Sequence, residues 1–391
     1  MTTLKVNDFV SNIKNKSSFD IDDLIHIAKR TNNKKRDYLF VNKYLGKHIP
    51  EKAVAIKKLF TEFAEEISIQ IPREEKILVV GFAETATALA QFVTYYSALT
   101  GDINVVYHLQ TTRESFELED SLINIAFEEE HSHASSQKLL FKQNHLPDFD
   151  RILFIEDEIT TGNTILNFIK EFEKIKPNSK YSVASILNWQ NEENSKIFRD
   201  MNIQTISLIN GTLRENVPVI NVAEDNFKDL FSPNNKDFKP WKFNLNTPRT
   251  GMTRDELKFY IDSRLVNLLM QFTNKEKIPA TIIGNEEDML VPLLYASLLN
   301  LKFRATTRSP ITSSNQEDYI IKDKIKFNGA IESTRENYIY NLKSDDSDLN
   351  IIVTDFPPLE DFIKDFQEYS KNLNKKIKFL TTISGVLNEI S

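Results

Sequence analysis

The chain of 391 residues has no cysteine. That excludes disulfides, thiolate metal sites and a cysteine nucleophile, and it fits a reducing compartment. Glycine is scarce, with only 9 residues, so a glycine in a loop carries more meaning than usual. Excess positive charge is also missing. The formal net charge is −7, which argues against a broad nucleic-acid-binding surface but leaves room for a local basic pocket. No apolar run is long enough to span a bilayer. The first residues, MTTLKVNDFVSNIKNK, lack the apolar core of a secretory signal. A cytoplasmic protein without a membrane partner is therefore expected. What remains is ordinary for a globular chain: 40% hydrophobic and 27% charged residues. The length suggests two domains.

The most informative stretch is Arg151–Asn167, RILFIEDEITTGNTILN. Ile152–Ile155 read as a short buried strand. Glu156 and Asp157 stand at its end. Thr160, Thr161, Gly162, Asn163 and Thr164 then open a helical run. Amides at a helix N-terminus attract phosphate, and threonine hydroxyls add donors. Gly162 permits close backbone approach. Carboxylates accept hydrogen bonds from sugar hydroxyls. Together these features suit a phosphorylated sugar.

Upstream, residues 1–30 read as a helical preface with DIDDLIHIAKR as its amphipathic piece. Gly46–Pro50 reads as a punctuated loop, in which Lys47 and His48 taken alone suit a solvated turn. Residues 51–69 read as an amphipathic helix. A βαβ unit follows, with KILVVGF, the helix ETATALAQFVTYYSAL and the strand NVVYHL. Gly81, Phe82, Ala83, Glu84, Thr85 and Ala86 form the loop at the strand's carboxyl end. Open α/β sheets place ligands there, although a plain turn with Glu84 facing the helix dipole reads equally well. Then come Gln110–Glu114 and a titratable run, Glu128, Glu129, Glu130, His131, Ser132 and His133. A metal site, a mobile flap and a solvated acidic loop all fit that run. Residues 224–250 are poor in pattern and read as a linker.

The C-terminal part repeats the order of the first. Gly284, Glu287 and Thr306-Thr307-Arg308 mirror Gly81, Glu84 and Thr111-Thr112-Arg113. Asp355 falls at the place of Asp157, but no Thr-Thr-Gly follows it. A duplicated α/β module whose second copy lost the phosphate loop is expected. The expected division is 1–235, a linker at 236–250, and 251–391.

FIEDEITTGNT resembles the signature of type I phosphoribosyltransferases, which bind phosphoribosyl pyrophosphate (PRPP). LFVNKYLGKHIP, GFAETATAL, QTTRE, EEHSHAS, PRTG, IIGNEEDMLVPL and TTRSPI extend the likeness. Together they resemble bacterial phosphoribosyltransferase-like proteins of tellurium-resistance-type (ter) stress operons, which carry a C-terminal TRSP domain. The resemblance implies an α/β type I phosphoribosyltransferase fold, mostly parallel sheet flanked by helices, followed by a second, smaller α/β domain. It implies PRPP and a base-like small molecule as partners, Mg²⁺ carried through PRPP with Asp157 as a candidate ligand, and a nucleoside-like product. A homodimer is compatible with it, and a PRPP-binding regulator without turnover is the alternative.

In that scheme Glu156 and Asp157 hold ribose hydroxyls and Thr160–Thr164 the 5′-phosphate. The Gly81–Ala86 loop, with Arg113 and Lys47, faces pyrophosphate. His131 or His133 moves a proton on the base. Gly284, Glu287, Arg308 and Asp355 are the second-domain candidates. Glu158 and Asn163 depart from the common pattern by adding charge near the ribose and by stiffening the loop.

Overall fold

The computed structural model describes residues 4–390 except 32–35, 115, 118–121, 129–135, 143–145, 175, 178, 233–240, 243–246, 331, 333, 357, 359 and 383–388. The first unit contains α1 (Ala53–Gln70), β1 (Ile77–Gly81), α2 (Ala86–Thr100), β2 (Val105–Thr112), β3 (Arg151–Ile159), α3 (Asn163–Phe172), β4 (Lys180–Asn188), α4 (Glu192–Asp200) and β5 (Ile203–Leu213). The second contains α5 (Arg254–Gln271), β6 (Ala280–Gly284), α6 (Leu290–Leu298), β7 (Lys302–Ala305), β8 (Leu349–Thr354), α7 (Glu360–Leu373) and β9 (Lys376–Thr381).

Both sheets share one order. In the first, β5, β4, β3, β1 and β2 are neighbours and run parallel. In the second, β9, β8, β6 and β7 are neighbours and run parallel. Strands buried on both faces need continuous apolar sequence, and every residue of Ile77–Gly81 and of Ala280–Gly284 is buried. The order also locates a crevice in each unit. From β1 the chain crosses through α2 to β2 on one side, and from β3 it crosses through α3 to β4 on the other. Such a reversal opens a ligand crevice outside the strand carboxyl ends. The second unit repeats the reversal between β6 and β8.

The units share their inner layer. α1 and α2 pack against α6 and α5, within one continuous apolar core that reaches both sheets. α3 covers the outer face of the first sheet and α7 that of the second. α3 docks through Ile165, Phe168, Ile169 and Phe172, the spacing of one helical face. Each fully buried side chain of this kind stabilises by about 1.5–3 kcal/mol. The units also exchange edge strands. Glu51–Lys52, just before α1, pairs antiparallel with β7 of the second sheet. Met252–Thr253, just before α5, pairs antiparallel with β2 of the first.

Two expectations fail here. The helical preface is mostly extended. Among its described residues only Val6–Phe9 and Ile21–Leu24 make helical turns, while Val10–Asn15 joins β5 and Ile25–Lys29 pairs with Tyr38–Asn42. Asp20 caps Ile21–Leu24, but sheet pairing then takes over from local helix preference. The Gly46–Pro50 turn is not solvated, since Lys47 and Ile49 are buried and Lys47 reaches backbone carbonyls of the second unit. Gly46 adopts φ 66°, and a Cβ there would stand 2.6 Å from the Phe303 ring. Among the described residues, no helix is long and apolar enough to cross a membrane.

Candidate active site

The acids of the opening motif lie within β3, which runs to Ile159 rather than stopping at Ile155. Pairing with β1 ends at Ile155, opposite Gly81, whereas pairing with β4 continues to Ile159. Glu156 and Asp157 are therefore half-buried beside the point where β1 has turned away. Glu158 does not add net charge there, because Arg36 pairs with it at 2.6 Å. Arg30, on the same hairpin, is close enough to Asp157 and Glu158 to feel both. Burial and neighbouring Arg36 lower its pKa, and the two carboxylates oppose that shift.

The loop Thr160–Gly162 leads straight into α3. Gly162 adopts φ 79°, in the left-handed region, and a Cβ there would lie 2.4 Å from the Phe198 ring. Thr161 Oγ1 accepts from the Asn163 amide at 3.3 Å. Beside the loop, Gln190 Nε2 is buried and has no hydrogen-bond partner among the described residues. Ser185 Oγ, opposite Glu156 in the sheet, is in the same condition. Unspent buried donors are costly, so these two positions suit an oxygen-rich ligand. Gly162→Ala is expected to lower stability by about 1–3 kcal/mol, from the left-handed φ and the aromatic clash. A fall in the urea midpoint checks this.

The second wall is the loop after β1. Ala83 N donates to Thr111 Oγ1 at 2.7 Å, and Ala83 O accepts from Gln137 Nε2 at 3.1 Å. The Ala83–Glu84 peptide is cis. Phe82 is buried, and Thr85 is half-buried at the start of α2. Glu84 does not face the α2 dipole in solvent. Its buried carboxylate binds Lys47 Nζ and accepts from the Arg308 amide at 3.2 Å. Burial alone would raise its pKa, but Lys47 and then Arg113 hold it at about 2. Lys47 also donates to the carbonyls of Glu286 (2.9 Å) and Thr306 (3.1 Å), so its three N–H donors are all engaged within the protein. Arg113 is half-buried at the end of β2.

Residues 24–212 match the model of a family described as phosphoribosyl transferase, and residues 246–367 match the TRSP domain found C-terminal to it. The chain belongs to this phosphoribosyltransferase family. It is accordingly an enzyme of the pentosyl-transferring class. Among solved structures it is similar to adenine phosphoribosyltransferases. The Saccharomyces cerevisiae protein shares 13% identity, with 47% of this chain and 94% of that one covered and a TM-score of 0.31. The Giardia lamblia protein shares 15% over 47% and 93%, with a TM-score of 0.33. The Trypanosoma brucei protein shares 11% over 48% and 76%, with a TM-score of 0.34. None of the curated proteins matches.

In the TRSP unit of this phosphoribosyltransferase, the mirrored residues meet the first unit directly. Glu287 accepts from the Arg113 amide at 2.8 Å and from Thr112 Oγ1 at 2.9 Å. Arg308 binds Glu286 through Nε at 2.7 Å and donates from Nη1 to the Arg113 carbonyl at 3.2 Å. Gly284 ends β6, where a Cβ would meet the Asp288 carbonyl at 2.8 Å. Asp355, the counterpart of Asp157, receives Arg249 Nη1 at 2.6 Å. Arg249 Nε also stands 3.0 Å from Glu114 and 3.2 Å from Glu287. The second crevice is thus filled by an arginine of this chain.

His131 and His133 lie outside the described residues, as do Glu129, Glu130 and Ser132. The strands on either side of them, Leu122–Glu128 and Ser136–Lys142, pair antiparallel. Sequence reasoning missed Arg30, Arg36, Gln190, Arg249 and Glu286 as parts of the two crevices. The nearest signal was the PRTG segment, in which Arg249 follows Pro248 and stands two residues before Gly251.

Proposed function

We propose that this enzyme transfers the 5-phosphoribosyl group of PRPP to a base-like acceptor in the cytoplasm, giving a nucleoside-like metabolite of the stress operons its family resembles. One observation carries the reading. The two loops that a phosphorylated sugar diphosphate needs lie on either side of a single switch point, with unspent buried donors beside one of them.

In this reading the amides of Gly162–Thr164 and the hydroxyls of Thr160, Thr161 and Thr164 hold the 5′-phosphate. Glu156 and Asp157 orient the ribose hydroxyls. Arg113 faces the pyrophosphate beside the Gly81–Ala86 loop, since a guanidinium grips phosphate oxygens in pairs. An acceptor nitrogen forms its bond to C1′ as the C1′–oxygen bond breaks, and the bonding pair leaves with pyrophosphate. Positive charge grows on the sugar during that exchange, close to the acid pair. Positioning and electrostatics therefore supply the rate enhancement, without a covalent enzyme intermediate.

Among the described residues, no group of three or more His, Asp or Glu is placed to hold a metal ion. The half-buried oxygen donors Glu156 and Asp157 nonetheless suit Mg²⁺ shared with ligand oxygens and water. When bound, the ion would neutralise charge on the leaving pyrophosphate.

The test is to incubate the protein with PRPP, Mg²⁺ and a fractionated metabolite extract. Pyrophosphate release with a new ribosylated mass is the expected result. PRPP binding without release in any fraction would favour a regulator and sink the transferase reading.

A further inference from the structure

The two units grip one another through equivalent residues. Glu84 and Glu287 hold the same place in their crevices, three residues after Gly81 and Gly284. Each carboxylate crosses the seam and accepts from the backbone amide of the other unit's Thr-Thr-Arg arginine. Glu84 takes the Arg308 amide at 3.2 Å, and Glu287 takes the Arg113 amide at 2.8 Å. A buried cation from the segment ahead of the first helix braces each of them, Lys47 on Glu84 and Arg249 on Glu287. The exchanged edge strands Glu51–Lys52 and Met252–Thr253 obey the same exchange.

The symmetry is broken in function. Arg249 fills the TRSP crevice, and no Thr-Thr-Gly loop follows Asp355. In the first crevice Arg113 is secured on both sides of its peptide. Glu287 holds its amide, while Arg308 and Arg335 both donate to its carbonyl. Thr112 is held by the same Glu287 carboxylate.

We propose that the TRSP unit acts as a built-in second subunit whose Glu287 is a positioning residue, setting Arg113 for the pyrophosphate end of PRPP. The inference rests on the PRPP reading above and deepens it. A backbone fixed at folding need not be ordered at binding, so the anchor raises affinity without touching the ligand. It acts on the pyrophosphate half of the site and not on the ribose 5-phosphate half, which β3, α3 and their neighbours in the first unit build.

Calorimetric titrations of ribose 5-phosphate and of inorganic pyrophosphate with Mg²⁺ separate the halves. Glu287→Ala is expected to weaken pyrophosphate binding about tenfold, or about 1.4 kcal/mol, with ribose 5-phosphate binding unchanged. Glu287→Gln keeps an amide oxygen as acceptor, and a loss of about threefold is expected. Glu287→Gln preserves shape and carries the test should the alanine variant not fold. Unchanged pyrophosphate affinity in a variant that melts like the parent overturns the inference, and so does equal loss of both ligands. If the unaltered protein binds neither ligand, the PRPP reading falls and the inference falls with it. If it binds both and the variants bind pyrophosphate as tightly as it does, only the inference falls.

Discussion

Replacing Arg249 with methionine is expected to lower the free energy of unfolding by about 3–5 kcal/mol at neutral pH, the usual cost of removing one partner from a buried ion cluster. Arg249 is buried, and its guanidinium lies among Asp355, Glu114 and Glu287. These groups do not suffer equally. Glu287 keeps the Arg113 amide and Thr112 hydroxyl. Burial raises the Glu114 pKa well above the usual range against the pull of Arg249, and Glu287 reinforces the rise. Asp355 suffers most. Burial pushes its pKa up, but Arg249 and then Arg264 pull it below the ordinary value. In the intact protein this depressed group contributes stability above its unfolded pKa of about 3.9, lost as pH falls through the folded value. Without Arg249, burial dominates and the folded pKa rises above the unfolded one. The deficit is then largest at neutral pH and shrinks as acid protonates Asp355. Urea unfolding at two pH values checks the sign. The double variant Arg249→Met with Asp355→Asn is expected to regain about 1–3 kcal/mol. A loss under about 1 kcal/mol for Arg249→Met would show that the cluster holds nothing together.

Arg249 also marks where sequence reading stops. The βαβ unit at 76–112 and the strand, loop and helix at 151–172 were readable because apolar runs buried on both faces leave a plain signal. The repeat was readable because Gly-x-x-Glu and Thr-Thr-Arg recur in the same order. The N-terminal 52 residues and the segment before α5 gave no such signal. Ile21, Leu24, Ile25 and Ala28 have a helical spacing, but the structure of Ile25–Lys29 is decided by Tyr38–Asn42, which pairs with it. Lys47 and Arg249 look like surface cations in composition. Their burial comes from partners contributed by both units, at separations no local pattern encodes. Glu158 looked like surplus charge beside the ribose, and only the hairpin that brings Arg36 to it shows otherwise.

That pairing of Glu158 sets up the sharpest test of the acid pair. Asp157→Asn is expected to cut PRPP-dependent pyrophosphate release at least about 100-fold, equivalent to roughly 2.7 kcal/mol of transition-state stabilisation. The substitution keeps the volume of a half-buried side chain on β3, so the melting temperature should move little. It removes the negative charge nearest to where positive charge grows on the ribose, and it turns a two-oxygen acceptor into one that also presents an amide to the hydroxyls. Glu158→Gln is the control on the same strand. Its carboxylate is already satisfied by Arg36, so a rate change of under about fivefold is expected, with any larger effect appearing as stability through the loss of that ion pair. The contrast separates two roles that charge alone would merge. A general requirement for acidity at the end of β3 predicts similar losses in both variants. A specific grip on the sugar predicts a large loss at Asp157 alone. PRPP binding that survives Asp157→Asn unchanged would move the ribose away from β3, and the switch-point placement of the ligand would fail with it.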